Sequence, residues 1–141
     1  MAIGVLVSLV LLYRLRSTSS RDSIEKENDM ITRVWHGWTR PEDADTYEEL
    51  LKTDIFPGIL SKGIAGLQRI EMLRREAGDE VEFMVVMRFT DIESVRTMTG
   101  GEESQAYIPD AARKVLKRFE PTARHFETRI IEAVPAQARN G

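Results

Sequence analysis

The stretch that decides the fold is Val81-Glu-Phe-Met-Val-Val-Met-Arg-Phe89. Apolar residues recur along it at the period of a β-strand and share one face: Val81, Phe83, Val85, Met87 and Phe89. The opposite face mixes charged and apolar residues: Glu82, Met84, Val86 and Arg88. Such a strand indicates a sheet that is covered on both sides. We expect helices of the chain itself on one side and a second copy of the chain on the other.

The segments beside this strand predict a hairpin and a helix. A turn at residues 76–79 joins it to an earlier strand that runs from about Leu67 to Arg74. After it, Thr90 and Glu93 have the spacing of a capping box, which predicts a helix start. Gly100-Gly101 ends that helix. Its apolar positions are Ile92, Val95 and Met98.

The first half of the domain predicts a strand followed by a helix. Residues 31–38 are β-branched and aromatic, and Thr39 and Glu42 then form another capping-box pattern around Pro41. The helix that follows is amphipathic, and we expect Pro57-Gly58 to break it. Its apolar stripe is Ala44, Tyr47, Leu50, Leu51 and Ile55.

The C-terminal part predicts one more helix and one more strand. Pro109 opens the helix, and Glu120-Pro121 ends it, because proline disfavours helical angles in the residue before it. The buried stripe of this helix is expected to be Ala112, Val115, Leu116 and Phe119. The strand is expected over residues 123–131, and residues 132–141 are expected to form a flexible tail.

This order of elements predicts an α+β fold with a ferredoxin-like split βαβ sheet, antiparallel, with helices on one face. The uncovered face would carry Met84 and Val86, with His125 and Glu127 nearby on the last strand. An apolar patch of that size is costly in water, so we expect two sheets to close face to face as a symmetric homodimer.

Composition restricts the classes of function. At 141 residues and 42% apolar content the chain suits one domain. A net charge of -3, from 20 basic and 23 acidic residues, gives no basic field, so we expect no nucleic-acid partner. The absence of cysteine excludes disulfides, thiolate metal sites and a cysteine nucleophile.

Residues 1–29 are expected to be an N-terminal extension outside the domain, which we place at residues 30–131. The apolar run at residues 1–13 is shorter than a membrane-spanning helix and lacks the pattern of a secretory signal. Two interpretations stay open: an over-long start, with translation beginning at Met30, or a short membrane anchor with its basic flank in the cytoplasm. In either case we expect the domain to be cytoplasmic.

Few residues could carry chemistry. His36 and His125 are the only histidines, and each could act in proton transfer or simply satisfy hydrogen bonds. Arg33 and Arg88 lie on predicted strands, where they could form ion pairs or stabilise an anion. Trp35 and Trp38 fall on opposite faces of the first strand. No hydrolase, dinucleotide or phosphate-loop motif is present, and two separated histidines make no metal site.

The chain resembles the antibiotic biosynthesis monooxygenase family over nearly all of residues 30–129. The resemblance is carried by Met-Ile-Thr-Arg-Val-Trp-His-Gly-Trp-Thr at residues 30–39, Phe-Pro-Gly-Ile at 56–59, Gly-Ile-Ala-Gly at 63–66, residues 73–83 and Arg-His-Phe-Glu at 124–127. It implies a dimeric α+β barrel that oxidises aromatic substrates with dioxygen and no bound cofactor.

The chemistry implied by this resemblance needs a base, a dry pocket and a positive group near developing superoxide. On this sequence the implied candidates are His125 or His36 for proton transfer and Arg88 or Arg33 for charge stabilisation. Trp35, Met84 and Val86 would line the pocket. The expected ligand is small and apolar or aromatic.

Two alternatives remain. A haem-degrading branch of the same fold uses a first-strand asparagine, a tryptophan on the second helix and a histidine on the later helix, and residues 31–38, 92–98 and 109–119 lack them. The other alternative is a dimeric barrel without enzymatic activity that binds a small ligand or has a stress-related role.

Overall fold

The structure, a computed structural model, describes residues 29–136. Met30–Glu127 forms one compact unit, and the described residues outside it, 29 and 128–136, belong to a second unit. The described part of the second unit contains no helix or strand. The apolar run predicted at residues 1–13 and the last five residues of the predicted tail lie outside the described residues. Within residues 29–136, no helix has the length and apolarity needed to cross a lipid bilayer.

The unit Met30–Glu127 is an antiparallel five-stranded sheet with helices on one face, which confirms the predicted ferredoxin-like α+β class. The strands are β1 (Ile31–Thr39), β2 (Leu67–Ala77), β3 (Glu80–Phe89), β4 (Arg118–Phe119) and β5 (Arg124–Glu127). The spatial order is β2-β3-β1, and both β4 and β5 pair with the free edge of β1. The long strand β1 therefore lies at the centre of the sheet.

Strand β3 has the two faces that its alternation predicts. Its five apolar residues at odd positions are at most 7% exposed and form the centre of the core. The hairpin to β2 turns through Gly78 and Asp79, and Gly78 takes a φ of 73°. A positive φ at the first central residue of a two-residue turn favours glycine.

The first helical region runs from Ala44 to Leu60 without the predicted break at Pro57. A 3₁₀ turn (Pro41–Asp43) leads into α1 (Ala44–Leu50), a π turn (Leu51–Ile55) and α2 (Phe56–Leu60). In the π turn the Phe56 amide bonds the Leu51 carbonyl, five residues back. The wider turn moves the ring of Pro57 away from the backbone carbonyl with which it would clash in a regular α-helix. The prediction of a break was therefore wrong.

Neither predicted capping box forms. Thr39 ends β1 as a fully buried residue, and the first turn has no side-chain cap. Helix α3 (Ile92–Thr99) is capped by Asp91, whose Oδ1 accepts from the Ser94 amide at 2.8 Å, rather than by Thr90. A carboxylate at the N-cap also stabilises the positive end of the helix. Gly100, with φ 87°, ends α3 as predicted.

The C-terminal helix and strand are shorter than predicted. Helix α4 covers Asp110–Val115, and Leu116 already has extended backbone angles. Phe119 therefore lies on β4, paired with Gly37, and not on a helix. The backbone amide of Lys117 donates to the Trp38 carbonyl at 2.8 Å. This segment therefore pairs with the sheet and does not continue the helix. The last strand keeps only four of its nine predicted residues.

Candidate functional site

A cleft lies between the helix-covered face of the sheet and the helices. Strands β1 and β3 form its floor, the first helical region forms one wall, and residues 107–112 form another. The empty space between the lining atoms, including solvent at the mouth of the cleft, is about 490 Å³. Its walls are mainly apolar: Leu51, Ile55, Phe56, Ile59, Val85, Met87, Met98 and Ile108. Narrow apolar clefts with few polar groups are typical of ligand sites.

Arg33 is the only charged residue that lines this cleft within the described part of the chain, and it is 3% exposed. Its Nη1 donates to the carbonyl of Glu103 and contacts His125 Nε2 at 2.9 Å. Its Nη2 donates to the carbonyl of Gln105 at 2.6 Å. Burial lowers the pKa of the Arg33 guanidinium to about 10, so Arg33 remains a cation at neutral pH.

His125 accepts the hydrogen bond from Arg33, because a guanidinium has donors only. The imidazole must therefore be neutral, with its proton on Nδ1. Burial, and secondarily the charge of Arg33, lower the pKa of His125, while Glu103 acts in the opposite direction. The lone pair that a general base would use is already occupied by Arg33.

Trp35 supplies a flat wall beside Arg33. Its indole Nε1 donates to the Glu120 carbonyl at 2.7 Å. A Cβ at Gly37 would lie 2.5 Å from Trp35 Cη2 and 3.1 Å from a methyl group of Leu116. Glycine at position 37 therefore leaves the space in which the indole lies.

Tyr47 adds a further polar group to the cleft. The residue is 2% exposed, and its ring packs edge-on against Phe83 with centroids 4.8 Å apart. Burial raises the pKa of the Tyr47 phenol, so the hydroxyl stays protonated. It makes no hydrogen bond within residues 29–136.

The structure divides the predicted site residues between the two faces of the sheet. Register pairs Arg33 with both Met87 and His125, so these three share the helix-covered face, together with Trp35. The prediction that His125 and Glu127 lie on the uncovered face was wrong. Pairing along four residues of β5 places Phe126, and not His125, on that side.

The uncovered face of the sheet, called here the open face, carries the remaining predicted residues. It contains His36, Met84, Val86 and Arg88, with Thr32, Val34, Trp38, Arg69, Glu71, Leu73, Arg75, Glu82 and Phe126. None of them lines the cleft. His36 Nδ1 bonds Glu82 Oε1 at 2.8 Å, and the other oxygen of Glu82 bonds Arg75 at 2.5 Å. His36 and Arg88 are thus separated from Arg33 by the sheet.

Sequence reasoning missed the loop at residues 100–109 and Tyr47. The contribution of the loop is made by backbone carbonyls, for which side-chain identity gives no signal. Tyr47 lies on the predicted buried stripe of the helix, but the predicted site includes no role for its hydroxyl. A phenol on an apolar helix stripe is a signal that could have indicated a polar group inside the cleft.

No cluster of three or more histidine and carboxylate side chains with the geometry of a metal site occurs within residues 29–136. The polar side chains that line the cleft are the guanidinium of Arg33, the indole of Trp35 and the phenols of Tyr47 and Tyr107, and each of them can donate a hydrogen bond. The arrangement suits an organic ligand that offers acceptors.

No protein-family model and no curated protein sequence matches the chain. Among solved structures, a candidate antibiotic biosynthesis monooxygenase from Bacillus cereus is similar with a TM-score of 0.55 and 14% identity, over 74% of this chain and 98% of that one. A conserved protein from Methanosarcina mazei Go1 has a TM-score of 0.52 and 11% identity, over 74% and 97%. At these identities the likeness shows the fold alone. The chain has a fold of the antibiotic biosynthesis monooxygenase type.

Proposed function

We propose that the chain is a cofactor-independent monooxygenase that oxidises a small aromatic or polyketide-like substrate with dioxygen. The observation that carries this proposal is Arg33, a buried cation in an apolar cleft. An electron-rich substrate anion would transfer an electron to dioxygen, and the two radicals would then combine. One oxygen atom becomes a carbonyl on the substrate carbon, and the other leaves as hydroxide with the remaining hydrogen of that carbon. The hydroxide then becomes water by taking a proton from solvent, which balances the proton released when the substrate anion formed.

Arg33 would stabilise the negative charge that moves from the substrate to oxygen. A fixed cation acts strongly in a site from which water is excluded, because little solvent screens the charge. Trp35 would hold a flat ring beside the guanidinium, since its own N–H is bound to Glu120. The fold likeness to a candidate monooxygenase from Bacillus cereus supports the same reaction class.

His125 acts in this proposal as a positioning residue for Arg33. Proton transfer by His125 stays a prediction, and it requires that Nε2 first release the guanidinium. His36 would need access to the cleft, although it lies on the open face. The substrate would therefore lose its proton to solvent water and not to a base in the cleft.

Oxygen uptake by the purified full chain with an anthrone-like phenol tests the proposal. Arg33→Met should lower the rate by about 100-fold, which is the effect expected for one electrostatic stabiliser. The control is Arg40→Met, because Arg40 is exposed and pairs with Asp43. Product formation that persists under strict anaerobiosis would rule out a monooxygenase.

A ligand-binding barrel without turnover is the second candidate. It is favoured by the occupied lone pair of His125 Nε2, which leaves this imidazole without a free site for accepting a substrate proton in the cleft. Binding of an aromatic ligand without oxygen uptake would select this function.

We also propose that the open face closes against a second copy of the chain. Leu73 and Phe126 are 48% and 52% exposed on it, beside the half-buried Val34, Met84 and Val86. The same face carries charges of both signs, including Arg69, Arg88, Glu71 and Glu82. A surface with this mixture can pair with itself across a two-fold axis.

A further inference from the structure

A two-residue segment, Tyr107-Ile108, lies at the mouth of the cleft, and we call it the strap. Both residues line the cleft, yet Tyr107 is 40% exposed, so its ring lies where the cleft meets solvent. The strap connects the loop at residues 100–109 to α4, which begins at Asp110. It therefore borders the route by which a molecule from solvent would reach the interior of the cleft.

Hydrogen bonds fix the backbone on both sides of the strap. Before it, the amide of Ala106 donates to the Pro121 carbonyl at 3.1 Å. After it, the Pro109 carbonyl accepts from the amide of Ala112 at 2.9 Å, in the first turn of α4. The ends of the strap are therefore held in place.

The strap itself is weakly bonded between these ends. Within residues 29–136, Tyr107 makes no backbone hydrogen bond. The carbonyl of Ile108 accepts one long bond, 3.3 Å, from Arg113 Nε. Segments with few backbone hydrogen bonds open at a lower free-energy cost than the helices and strands around them.

Lys62 connects the strap to the opposite wall of the cleft. Its Nζ lies 4.2 Å from the centroid of the Tyr107 ring and donates to the Met98 carbonyl at 3.0 Å. Lys62 follows α2 and Met98 lies in α3, so one ammonium group joins the strap to two helical elements beside the cleft. The attraction between a cation and an aromatic face is weak enough to break and re-form at ambient temperature.

The strap also has empty space on its outer side. A second, more polar hollow of about 500 Å³, including solvent at its mouth, borders the strap there. It shares Tyr107, Ile108 and Pro109 with the cleft and adds Thr99, Gln105 and Arg113. Because close-packed interiors resist movement, a ring between two unfilled spaces can swing more easily than a ring in the core.

We propose that the strap is a gate to the cleft and that Lys62 holds this gate closed. When the contact between Lys62 and Tyr107 breaks, the ring swings into the outer hollow and a small organic ligand enters. When the contact re-forms, the ring excludes water from the cleft. The proposal rests on the proposed function in taking the cleft as the site that a ligand must reach, and it adds how entry is controlled.

Acrylamide quenching of Trp35 fluorescence measures how often the gate opens. Trp35 lines the cleft, and Trp38→Phe leaves it as the only tryptophan of the chain. In this background Lys62→Met should raise the quenching rate constant by about two- to fivefold, the factor expected from the loss of one cation–π contact. Lys62→Arg should keep the original value, because a guanidinium also binds an aromatic face. Lys52→Met, which removes an exposed lysine from the first helical region, is the control.

A covalent link across the gate should have the opposite effect. The chain has no cysteine, so in a Lys62→Cys, Tyr107→Cys double variant a short bismaleimide can join only these two positions. The crosslinked protein should have a lower quenching rate constant for Trp35 than the same protein before crosslinking. It should also lose oxygen uptake with the anthrone-like phenol.

An unchanged quenching rate constant in Lys62→Met would overturn the gate, and so would equal quenching before and after crosslinking. If Lys62 only caps the end of α3, Lys62→Met would lower the midpoint of thermal denaturation and leave quenching unchanged, which would also overturn it. The crosslinking comparison uses a single polypeptide, so it decides even if Lys62→Met does not fold. The expected quenching pattern without oxygen uptake by any variant would reject the monooxygenase and keep the gate.

Discussion

Arg33 Nη1 and His125 Nε2 lie 2.9 Å apart, and this contact exists only while the imidazole is neutral. The pKa of His125 is lowered, mainly by burial, from its ordinary value of 6.5. The unfolded chain therefore binds a proton at His125 at a higher pH than the folded chain. The contribution of His125 to the free energy of unfolding is fully present above pH 6.5 and is lost as the pH falls below it.

Urea denaturation at a series of pH values between about 5 and 8 measures this loss. His125→Gln keeps an acceptor for Arg33 but cannot be protonated, so its unfolding free energy should fall less on acidification. Equal pH profiles for the two proteins would mean that His125 is not the neutral acceptor.

Thr39→Val should stabilise the chain. Thr39 is fully buried and its Oγ1 has no hydrogen-bond partner within residues 29–136. Because an unsatisfied buried hydroxyl costs about 1–3 kcal/mol, the isosteric valine should raise the free energy of unfolding by about 1 kcal/mol. Thr53→Val is the control, since Thr53 bonds the Glu49 carbonyl at 2.8 Å and should give no gain. A Thr39→Val protein that is less stable than the unaltered chain would contradict the conclusion that the Thr39 hydroxyl lacks a hydrogen-bond partner.

Gly66→Ala should destabilise the chain by about 2–3 kcal/mol. Its new Cβ would lie 1.9 Å from Ser94 Oγ and 2.7 Å from Thr90 Oγ1, where the loop meets α3. Gly58→Ala is the matched control, because its Cβ meets nothing within 4 Å and it lies in α2. Alanine there should stabilise the helix by about 1 kcal/mol. Similar effects of the two substitutions in thermal denaturation would show that the close approach of residue 66 to Ser94 and Thr90 does not require glycine.

Gly37→Ala should impair the cleft more than the fold. The added methyl group displaces the indole of Trp35, which then shifts its fluorescence maximum. Displacement of a ring that lies beside Arg33 should lower the rate of oxygen uptake with the anthrone-like phenol by about tenfold. Oxygen uptake and fluorescence like those of the unaltered chain would show that Trp35 has room to move without loss.

Leu73→Glu should prevent association of the open faces. Each copy would bring a new charge into the apolar centre of the interface, so dimer affinity should fall by about 100-fold or more. Light scattering at micromolar concentration measures the mass, and Leu60→Glu serves as a control, because Leu60 is 61% exposed at the end of α2. A monomeric unaltered chain would reject the proposed dimer.

The sheet was predictable because its central strands are long and strictly alternating. In β3 the period alone separates the buried residues from those of the open face. In β5 the four residues 124–127 carry no such pattern, so the register with β1 decided which face His125 occupies. A shift of one residue moves every side chain to the other face.

The site was only partly predictable because its contacts are of two kinds. Arg33 and Trp35 lie two residues apart on β1, so their side chains share one face of the sheet, and both could be predicted as site residues from the sequence. The carbonyls of Glu103 and Gln105 act through backbone atoms of an irregular loop, which side-chain chemistry cannot indicate. The capping boxes failed for a local reason, because Thr39 continues the strand and Asp91 is the stronger cap.

The π turn at Leu51–Ile55 makes the shape of the cleft sensitive to chain length. Leu51, Ile55 and Ile59 follow one another at intervals of four, and in a uniform α-helix eight residues would rotate the last of them by about 80° from the first. The wide turn compensates for that drift, so all three point to the same cleft. Deletion of one residue from the π turn would restore a regular α-helix, but it would rotate the residues that follow the deletion towards solvent. One residue more than a regular α-helix needs is thus enough to place the three side chains along one wall of the cleft.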